Sequence, residues 1–152
     1  MAKVRDAEWK RLEEAMRAAL KLGTVPVPQL LLLYYPRLKM SDLEAMLVIH
    51  LISFIENEKK EFPTLAEIEA RMASPSEQVL QALQRLLREH IVAIDEETDP
   101  VSGVTYEKYN LEPLYAKLAA AWTEDLKQRE ERERSSGASA REKDIFTVFE
   151  EE

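Results

Sequence analysis

The chain has 152 residues, a net charge of -8 and no cysteine, a length that suits one compact domain with an appendage. The lack of cysteine excludes a disulfide framework, a thiolate metal site and a cysteine nucleophile. Because no apolar stretch approaches the roughly 18 residues of a membrane span and the amino terminus has no apolar signal core, we expect a soluble cytoplasmic protein.

The charge is distributed unevenly along the chain. Residues 1–40 carry eight Lys/Arg and four Asp/Glu, whereas residues 41–110 carry six and fourteen. Residues 111–152 carry seven and eleven. The middle segment is therefore as negative as the whole chain, and a surface built from it should repel phosphate over about a Debye length.

The first 40 residues predict a helix, an extended segment and a short second helix. The first helix carries an apolar stripe at helical spacing, made of Trp9, Leu12, Met16, Ala19 and Leu20. Residues 25–28 must be extended, because Pro26 and Pro28 lack an N–H and disfavour helix at the residue before each of them. Residues 29–35 predict a short helix that is apolar on too many sides for a surface helix.

The middle segment contains three matches to the capping box, in which a Ser or Thr and a Glu three residues later satisfy the first amides of a helix. The matches begin at Ser41, Thr64 and Ser74, and the third places Pro75 at the first helical position. Apolar residues at helical spacing follow each match. A β-branched run at residues 92–95, a polar turn and a second strand at residues 104–110 then predict a hairpin.

Three helices followed by a hairpin give the order of a winged helix, and residues 62–63 could supply a third strand. The predicted fold class is mainly α with a small β-sheet (α+β): a winged helix-turn-helix with an N-terminal helix-strand-helix oligomerisation extension and a C-terminal helix over residues 111–127. The predicted divisions are residues 1–40 for the extension, 41–128 for the winged-helix core with the following helix, and 129–152 for a charged linker and the start of a missing C-terminal domain.

The extended segment and the Leu-rich helix allow two interpretations. They complete the core of one chain, or they leave a strand edge and an apolar face that a two-fold copy covers. On the residues alone both interpretations stay open, and the second predicts an oligomer interface made of Leu20, Val25, Val27, Leu30, Leu31, Leu33 and Tyr34.

The wing sheet is a second candidate surface. Side chains alternate along a strand, so some apolar residues of the hairpin must face away from the core. Phe62, Ile94 and Glu107 are the candidate partner-binding residues, because an apolar centre with an acidic rim is typical of a protein-docking patch.

No catalytic, cofactor-binding or metal site is predicted. The sequence contains no Gly-rich phosphate loop, serine elbow or paired zinc motif. His50 and His90 have no Cys or second His within a helical turn, and the wing acids lack the EF-hand glycine and closing Glu. We therefore expect a protein that is not an enzyme.

The third helix of the winged helix would be the recognition helix if the protein bound DNA. Its first turns offer Ser76, Glu77, Gln78 and Gln81 without a cation, and the wing tip carries a run of carboxylates. Such a surface releases few counterions at phosphates, which is the main source of non-specific DNA affinity. We expect weak or no DNA binding; a DNA-binding winged-helix transcription regulator is the alternative.

The order of these pieces resembles the N-terminal domain of the DnaD family, bacterial primosomal proteins of DNA replication initiation and restart. The resemblance rests on residues 25–32 (VPVPQLLL), 62–64 (FPT) and 107–114 (EKYNLEPL), and residues 145–152 (IFTVFEEE) are similar to the start of the family's C-terminal domain. It implies that the N-terminal extension builds dimers and possibly tetramers. It also implies a non-catalytic scaffold role beside the initiator DnaA, the partner protein DnaB and the helicase loader, with the main DNA-binding activity in the C-terminal domain.

Overall fold

The computed structural model describes residues 2–21 and 23–136. Its elements follow the predicted order: α1 Ala2–Leu20, α2 Gln29–Tyr34, α3 Asp42–Ile52, α4 Leu65–Arg71, α5 Ser76–Arg88, β1 Ala93–Thr98, β2 Thr105–Asn110 and α6 Glu112–Ser136. A π-helical turn, Ser53–Asn57, continues α3. The predicted fold class is confirmed: the described chain is mainly helical, with one antiparallel two-stranded sheet.

The core is built around α3. Leu47, Val48, Leu51 and Ile52 of this helix are buried, as is Phe54 in the π-helical turn. Side chains from α2, α4, α5, β2, α6 and the connecting segments surround them, namely Leu31, Met40, Ile68, Val79, Ala82, Leu83, Leu86, Ile91, Val92, Tyr109, Leu111, Leu114 and Leu118. Each large aliphatic side chain that is fully buried stabilises the fold by about 1.5–3 kcal/mol.

Two of the predicted capping boxes are present. At the start of α3, Ser41 Oγ accepts from the Glu44 N–H at 3.1 Å, and the Glu44 carboxylate accepts from the Ser41 N–H at 2.8 Å. At the start of α4, Thr64 and Glu67 make the same two bonds at 3.1 and 3.0 Å. These bonds satisfy amides that have no partner within the helix.

The third capping box and the third wing strand were wrong. α5 begins at Ser76 with Pro75 as its N-cap in an extended conformation, and no side chain caps it. Because the helix starts one residue later than predicted, Ser74 is too far from the first amides. The segment before α4 does not form a strand; it contributes one backbone bond to the sheet, in which the Tyr109 N–H donates to the Glu61 carbonyl at 3.0 Å.

α6 continues beyond its predicted end. The sequence pattern placed a linker from residue 129, but the helix runs to Ser136. Residues 128–136 lack an apolar stripe, yet they are strong helix formers with opposite charges four residues apart, such as Glu130 and Arg134. Residues 137–152, the rest of the predicted linker and the segment after it, lie outside the described residues, so that part of the prediction stays untested.

α2 packs as part of the core. Leu31 and Met40 are buried, and the Tyr34 hydroxyl donates to the Asp125 carboxylate of α6 at 2.8 Å. Arg37 also pairs with Asp125. α2 is therefore anchored to α6 and to the core, whereas every side chain described in α1 is exposed.

Among the described residues, Lys39, Lys59 and His90 are the non-glycine residues with left-handed backbones, and His90 has φ 54°. Each follows the last turn of a helical segment, where glycine is favoured. We predict that His90→Gly raises the free energy of unfolding by about 0.5–1 kcal/mol, because glycine relieves the steric cost of this conformation. Urea denaturation measures the change. The control Gln84→Gly, inside α5, should lower the free energy of unfolding by about 1 kcal/mol. A less stable His90→Gly variant would contradict the prediction.

Candidate functional site

The large hydrophobic side chains that remain exposed fall into two groups. The first lies in α1, the following segment, α2 and α3, and consists of Val4, Trp9, Leu12, Met16, Leu20, Val25, Leu32, Leu33 and Met46. The second lies before α4 and on the wing, and consists of Phe62, Ile94, Val101, Val104 and Tyr106. Single exposed hydrophobic residues are ordinary, but such concentrations indicate surfaces that another molecule covers.

α1 exposes its complete apolar stripe. Trp9, Leu12, Met16 and Leu20 share one face of the helix, as predicted, and all four are exposed. Most of the stability of a protein helix comes from packing of its apolar face and not from intrinsic helix propensity. The stripe is therefore a surface that lacks a packing partner among the described residues.

Three residues predicted for the oligomer interface are exposed: Leu20 at 78%, Val25 at 37% and Leu33 at 58%. They are available for direct contact with another chain. Leu32, which also lies on the exposed side of α2, was missed. Helical spacing could not select it, because four consecutive leucines occupy every side of one helical turn.

The other four residues predicted for this interface contact the chain's own core. Leu31 is wholly buried, so in this structure it offers no surface to a second chain. Val27, Leu30 and Tyr34 are partly buried against the core, and the Tyr34 hydroxyl is bonded to Asp125. These four residues support the exposed side of α2 from beneath.

The segment predicted to pair strand to strand has few free backbone groups. Its two prolines have no N–H, and the Val27 N–H donates to the Val25 carbonyl at 2.9 Å. Asn57 Nδ2 holds the preceding Thr24 carbonyl at 2.8 Å. Within residues 25–28, the backbone N–H that remains available to a second copy is that of Val25. A hydrogen-bonded strand pairing between two copies would therefore be short.

The register of the hairpin gives the wing two faces. Ile94 lies opposite Tyr109 and Glu96 opposite Glu107, so these four residues share one face. The Phe62 ring packs against the Tyr109 ring with centroids 4.8 Å apart. We call the surface made of Phe62, Ile94, Glu96 and Glu107 the apolar wing face. Phe62 and Ile94 are 39% and 40% exposed, so the structure brings the three predicted partner-binding residues together and adds Glu96.

The opposite side of the hairpin, which we call the polar wing face, is paired within the chain. Glu97 accepts from Lys108 at 2.5 Å and from the Tyr106 hydroxyl at 2.8 Å. These two bonds lower the pKa of the Glu97 carboxyl. Asn110 Nδ2 donates to Asp95 at 2.8 Å. The charge of Glu97 is therefore compensated by Lys108 within the chain, whereas Asp95 is hydrogen-bonded to a neutral amide.

α5 occupies the place of a recognition helix but offers little positive charge. Arg85 donates to the Glu44 carboxylate of α3 at 2.6 Å, and the Glu44 side chain is nearly buried. The other cation of this helix, Arg88, is exposed near its C-terminal end, and the exposed first turn carries Glu77. This distribution disfavours contact with phosphates.

Glu44 connects α3 to α5 through a charge. Burial raises the pKa of its carboxyl, but hydrogen bonds from Ser41 and Arg85 outweigh burial and hold the pKa below its ordinary value of 4.5. Because the pKa is lower in the folded chain than in the unfolded chain, these interactions stabilise the fold fully above the ordinary value. The stabilisation is lost as the pH falls through the folded-state pKa.

We predict that Arg85→Met lowers the free energy of unfolding by about 2 kcal/mol at pH 7, because it leaves the buried carboxylate without its cation. The difference in the free energy of unfolding between this variant and the unmodified chain should become smaller in acid, where Glu44 becomes protonated. Urea denaturation across a pH series measures both effects. The control Arg88→Met, on the exposed side of the helix, should change stability by less than about 0.5 kcal/mol. Equal losses in the two variants would refute the assignment.

Neither a metal-binding cluster nor a membrane-spanning helix occurs within residues 2–21 and 23–136. No group of three or more His, Cys, Asp or Glu side chains in these ranges is placed to hold a metal ion. No helix there combines the length and hydrophobicity needed to cross a bilayer. His50 is half-buried on α3, where burial and the charge of Arg71 lower its pKa.

Comparisons with known proteins point to one family. Residues 27–131 match the DnaD N-terminal domain. The chain is 31% identical over 130 residues to the replicative helicase loading/DNA remodeling protein DnaD of Bacillus subtilis (strain 168), with 86% of this chain and 53% of that protein covered. It thus spans about half the length of that relative. The crystal structure of the N-terminal domain of DnaD protein from Geobacillus kaustophilus HTA426 is similar with a TM-score of 0.62 and 30% identity, covering 78% of this chain and 96% of that chain.

Proposed function

The chain belongs to the DnaD N-terminal domain family, and we propose that it is a self-associating, protein-binding module in the initiation and restart of bacterial DNA replication. In this proposal it acts in the cytoplasm as a scaffold without catalysis. The observation that carries the proposal is the concentration of exposed hydrophobic side chains in the N-terminal part and on the wing. The Bacillus subtilis relative is a replicative helicase loading/DNA remodeling protein, which supports a role in replication initiation.

The first interaction is self-association through α1 and the exposed side of α2. α1 presents Trp9, Met16 and Leu20, and α2 presents Leu32 and Leu33. A two-fold copy carries the same residues, so a single symmetric contact would cover both sets at once. A dimer is the expected assembly, and a tetramer follows if α1 and α2 contact different copies.

Side chains, more than backbone, should hold this interface together. The segment between α1 and α2 has few free N–H groups, because of its prolines and the internal bond from Val27 to Val25. Exposed leucine and tryptophan side chains instead provide apolar area, at about 25 cal/mol per Å² removed from water. In this proposal, strand pairing fixes how the two copies align, and the burial of apolar side chains supplies the affinity.

We predict that Leu33→Glu raises the dissociation constant of self-association at least about tenfold, because the interface would bury an unpaired carboxylate. Leu33 is exposed, so the substitution should leave the helical content of the single chain unchanged in circular dichroism. Sedimentation equilibrium over a concentration series measures the constant. The control Val101→Glu, at an exposed wing residue, should associate like the unmodified chain. Equal association by Leu33→Glu would count against this interface.

The second interaction is the docking of another initiation protein on the apolar wing face. Phe62 and Ile94 give this face an apolar centre, and Glu107 lies on its rim. Interfaces between proteins commonly combine such a centre with polar edges. The initiator DnaA and the partner protein DnaB are the proposed occupants, on the basis of the family resemblance.

We predict that Ile94→Glu weakens binding to purified DnaA or DnaB at least about tenfold, because it places a charge in the apolar centre of the contact. Isothermal titration calorimetry measures the affinity, and Ile94→Ala serves as a milder variant in case the charged one unfolds. The control Val104→Glu changes an exposed valine outside the apolar wing face. Retained binding by both Ile94 variants would remove this face as the docking site.

DNA binding by a transcription regulator is disfavoured by the same structure. Arg85 of α5 is already paired with Glu44, and the first turn of that helix carries Glu77. The wing adds carboxylates where a phosphate-binding wing would need cations. We therefore propose that this chain binds DNA weakly or not at all.

A further inference from the structure

A side chain of the core helix holds the backbone of the segment between α1 and α2. Asn57 Nδ2, at the end of the π-helical turn that continues α3, donates to the Thr24 carbonyl at 2.8 Å. Among the residues that the structure describes, it is the one side-chain hydrogen bond made to residues 23–28. Asn57 and Thr24 are both exposed, so the bond competes with water and adds little to the stability of the fold.

The π-helical turn gives Asn57 a rigid support. The Glu58 N–H donates to the Ser53 carbonyl at 3.3 Å, a bond that spans five residues where an α-helix would span four. Phe54 of the same turn is buried in the core, which fixes the turn in place. Such turns occur mostly as single insertions in α-helices, frequently at functional sites.

The bond from Asn57 also fixes the direction of the next backbone N–H. The Thr24 carbonyl and the Val25 N–H belong to one planar peptide unit, and no described peptide bond is cis. In a trans unit, the C=O and the N–H point in opposite directions. Because Asn57 takes the carbonyl, the Val25 N–H points away from the π-helical turn, where it has no acceptor among the described residues.

A γ-turn stiffens the residues that follow. The Val27 N–H donates to the Val25 carbonyl at 2.9 Å, which closes a three-residue turn around Pro26. The proline ring restricts φ to about -65°, close to the roughly -75° of an inverse γ-turn. The Pro26 and Val27 carbonyls accept no hydrogen bond within residues 2–21 and 23–136. The stiffened segment therefore offers the Val25 N–H as a donor and these carbonyls as acceptors.

We propose that Asn57 is a positioning residue for self-association, because its bond to Thr24 aims the Val25 N–H at a free carbonyl of the same segment in a second copy. The proposal rests on the proposed self-association and adds to it a residue outside the predicted interface. A two-fold axis repeats the contact, so each copy donates one bond and accepts one. Without Asn57, the peptide unit is free to rotate, and association must bear the cost of ordering it.

A positioning role has a signature that a role in the fold lacks. Loss of Asn57 should weaken association and leave the stability of the separate chain nearly unchanged, because the lost bond is exposed to water. The Val25 amide hydrogen should exchange with solvent quickly in the separate chain and slowly in the associated chain, where it is bonded. A residue that only supported the fold would lower the urea midpoint instead.

The experiment compares Asn57→Ala with the control Glu56→Ala, which truncates the neighbouring exposed residue of the same turn. Asn57→Ala should raise the dissociation constant of self-association about tenfold in sedimentation equilibrium. Its urea midpoint, measured at a concentration where the chains are separate, should equal that of the unmodified chain. Glu56→Ala should match the unmodified chain in both measurements.

Hydrogen exchange followed by NMR tests the direction of the N–H itself. Association of the unmodified chain should slow the exchange of the Val25 amide at least about tenfold. Asn57→Ala, at a concentration that gives the same associated fraction, should lose most of this protection.

The outcomes separate this inference from the proposed function. If Leu33→Glu weakens association while Asn57→Ala associates like the unmodified chain, the positioning role is overturned and the interface of α1 and α2 stands. A Val25 amide that exchanges equally fast in the separate and associated unmodified chain would have the same meaning. If Leu33→Glu also associates normally, the interface itself fails and the inference fails with it. An Asn57→Ala chain that associates more weakly only because its urea midpoint has fallen would likewise overturn the inference.

Discussion

The core around α3 determines what the rest of the chain can bury. α3 is apolar on nearly every side, and α2, α4, α5 and α6 surround it with side chains that are almost completely buried. When these positions are filled, no room remains for the stripe of α1, the outer leucines of α2 or the hydrophobic residues of the wing. Their exposure follows from a core that is complete without them, and it leaves them available to other chains.

Charged side chains of α3 and of the wing also decide which charges the surface presents. Glu44 caps α3 and binds Arg85 of α5, so a cation that a DNA-binding helix would present outward is held against the core. On the wing, Glu97 and Lys108 form an ion pair on the polar wing face. Glu96 and Glu107 lie opposite each other on the apolar wing face without an ion pair among the described residues. The surface that results is acidic and partly apolar, a combination that suits docking of a protein better than contact with phosphate.

Local rules predicted much of this fold from the sequence, and their failures have physical causes. The capping boxes at Ser41 and Thr64 depend only on neighbouring residues, and both are present. The end of α6 was missed because a helix stabilised by charge pairs has no apolar stripe to recognise. The buried side of α2 was missed because its leucines are identical, so that tertiary packing alone selects Leu31. Glu96 was missed because strand alternation leaves two possible faces until the hairpin register is known.

We propose above all that the exposed hydrophobic residues of the N-terminal part form a self-association interface. Sedimentation equilibrium of the whole chain and of a chain that begins at residue 23 tests it most directly, because the shortened chain loses α1 but keeps Leu31 and the described core. We predict that the mass of the whole chain rises with concentration toward twice that of one chain or more, and that the shortened chain associates far more weakly. Monomeric behaviour of the whole chain at every concentration would contradict it.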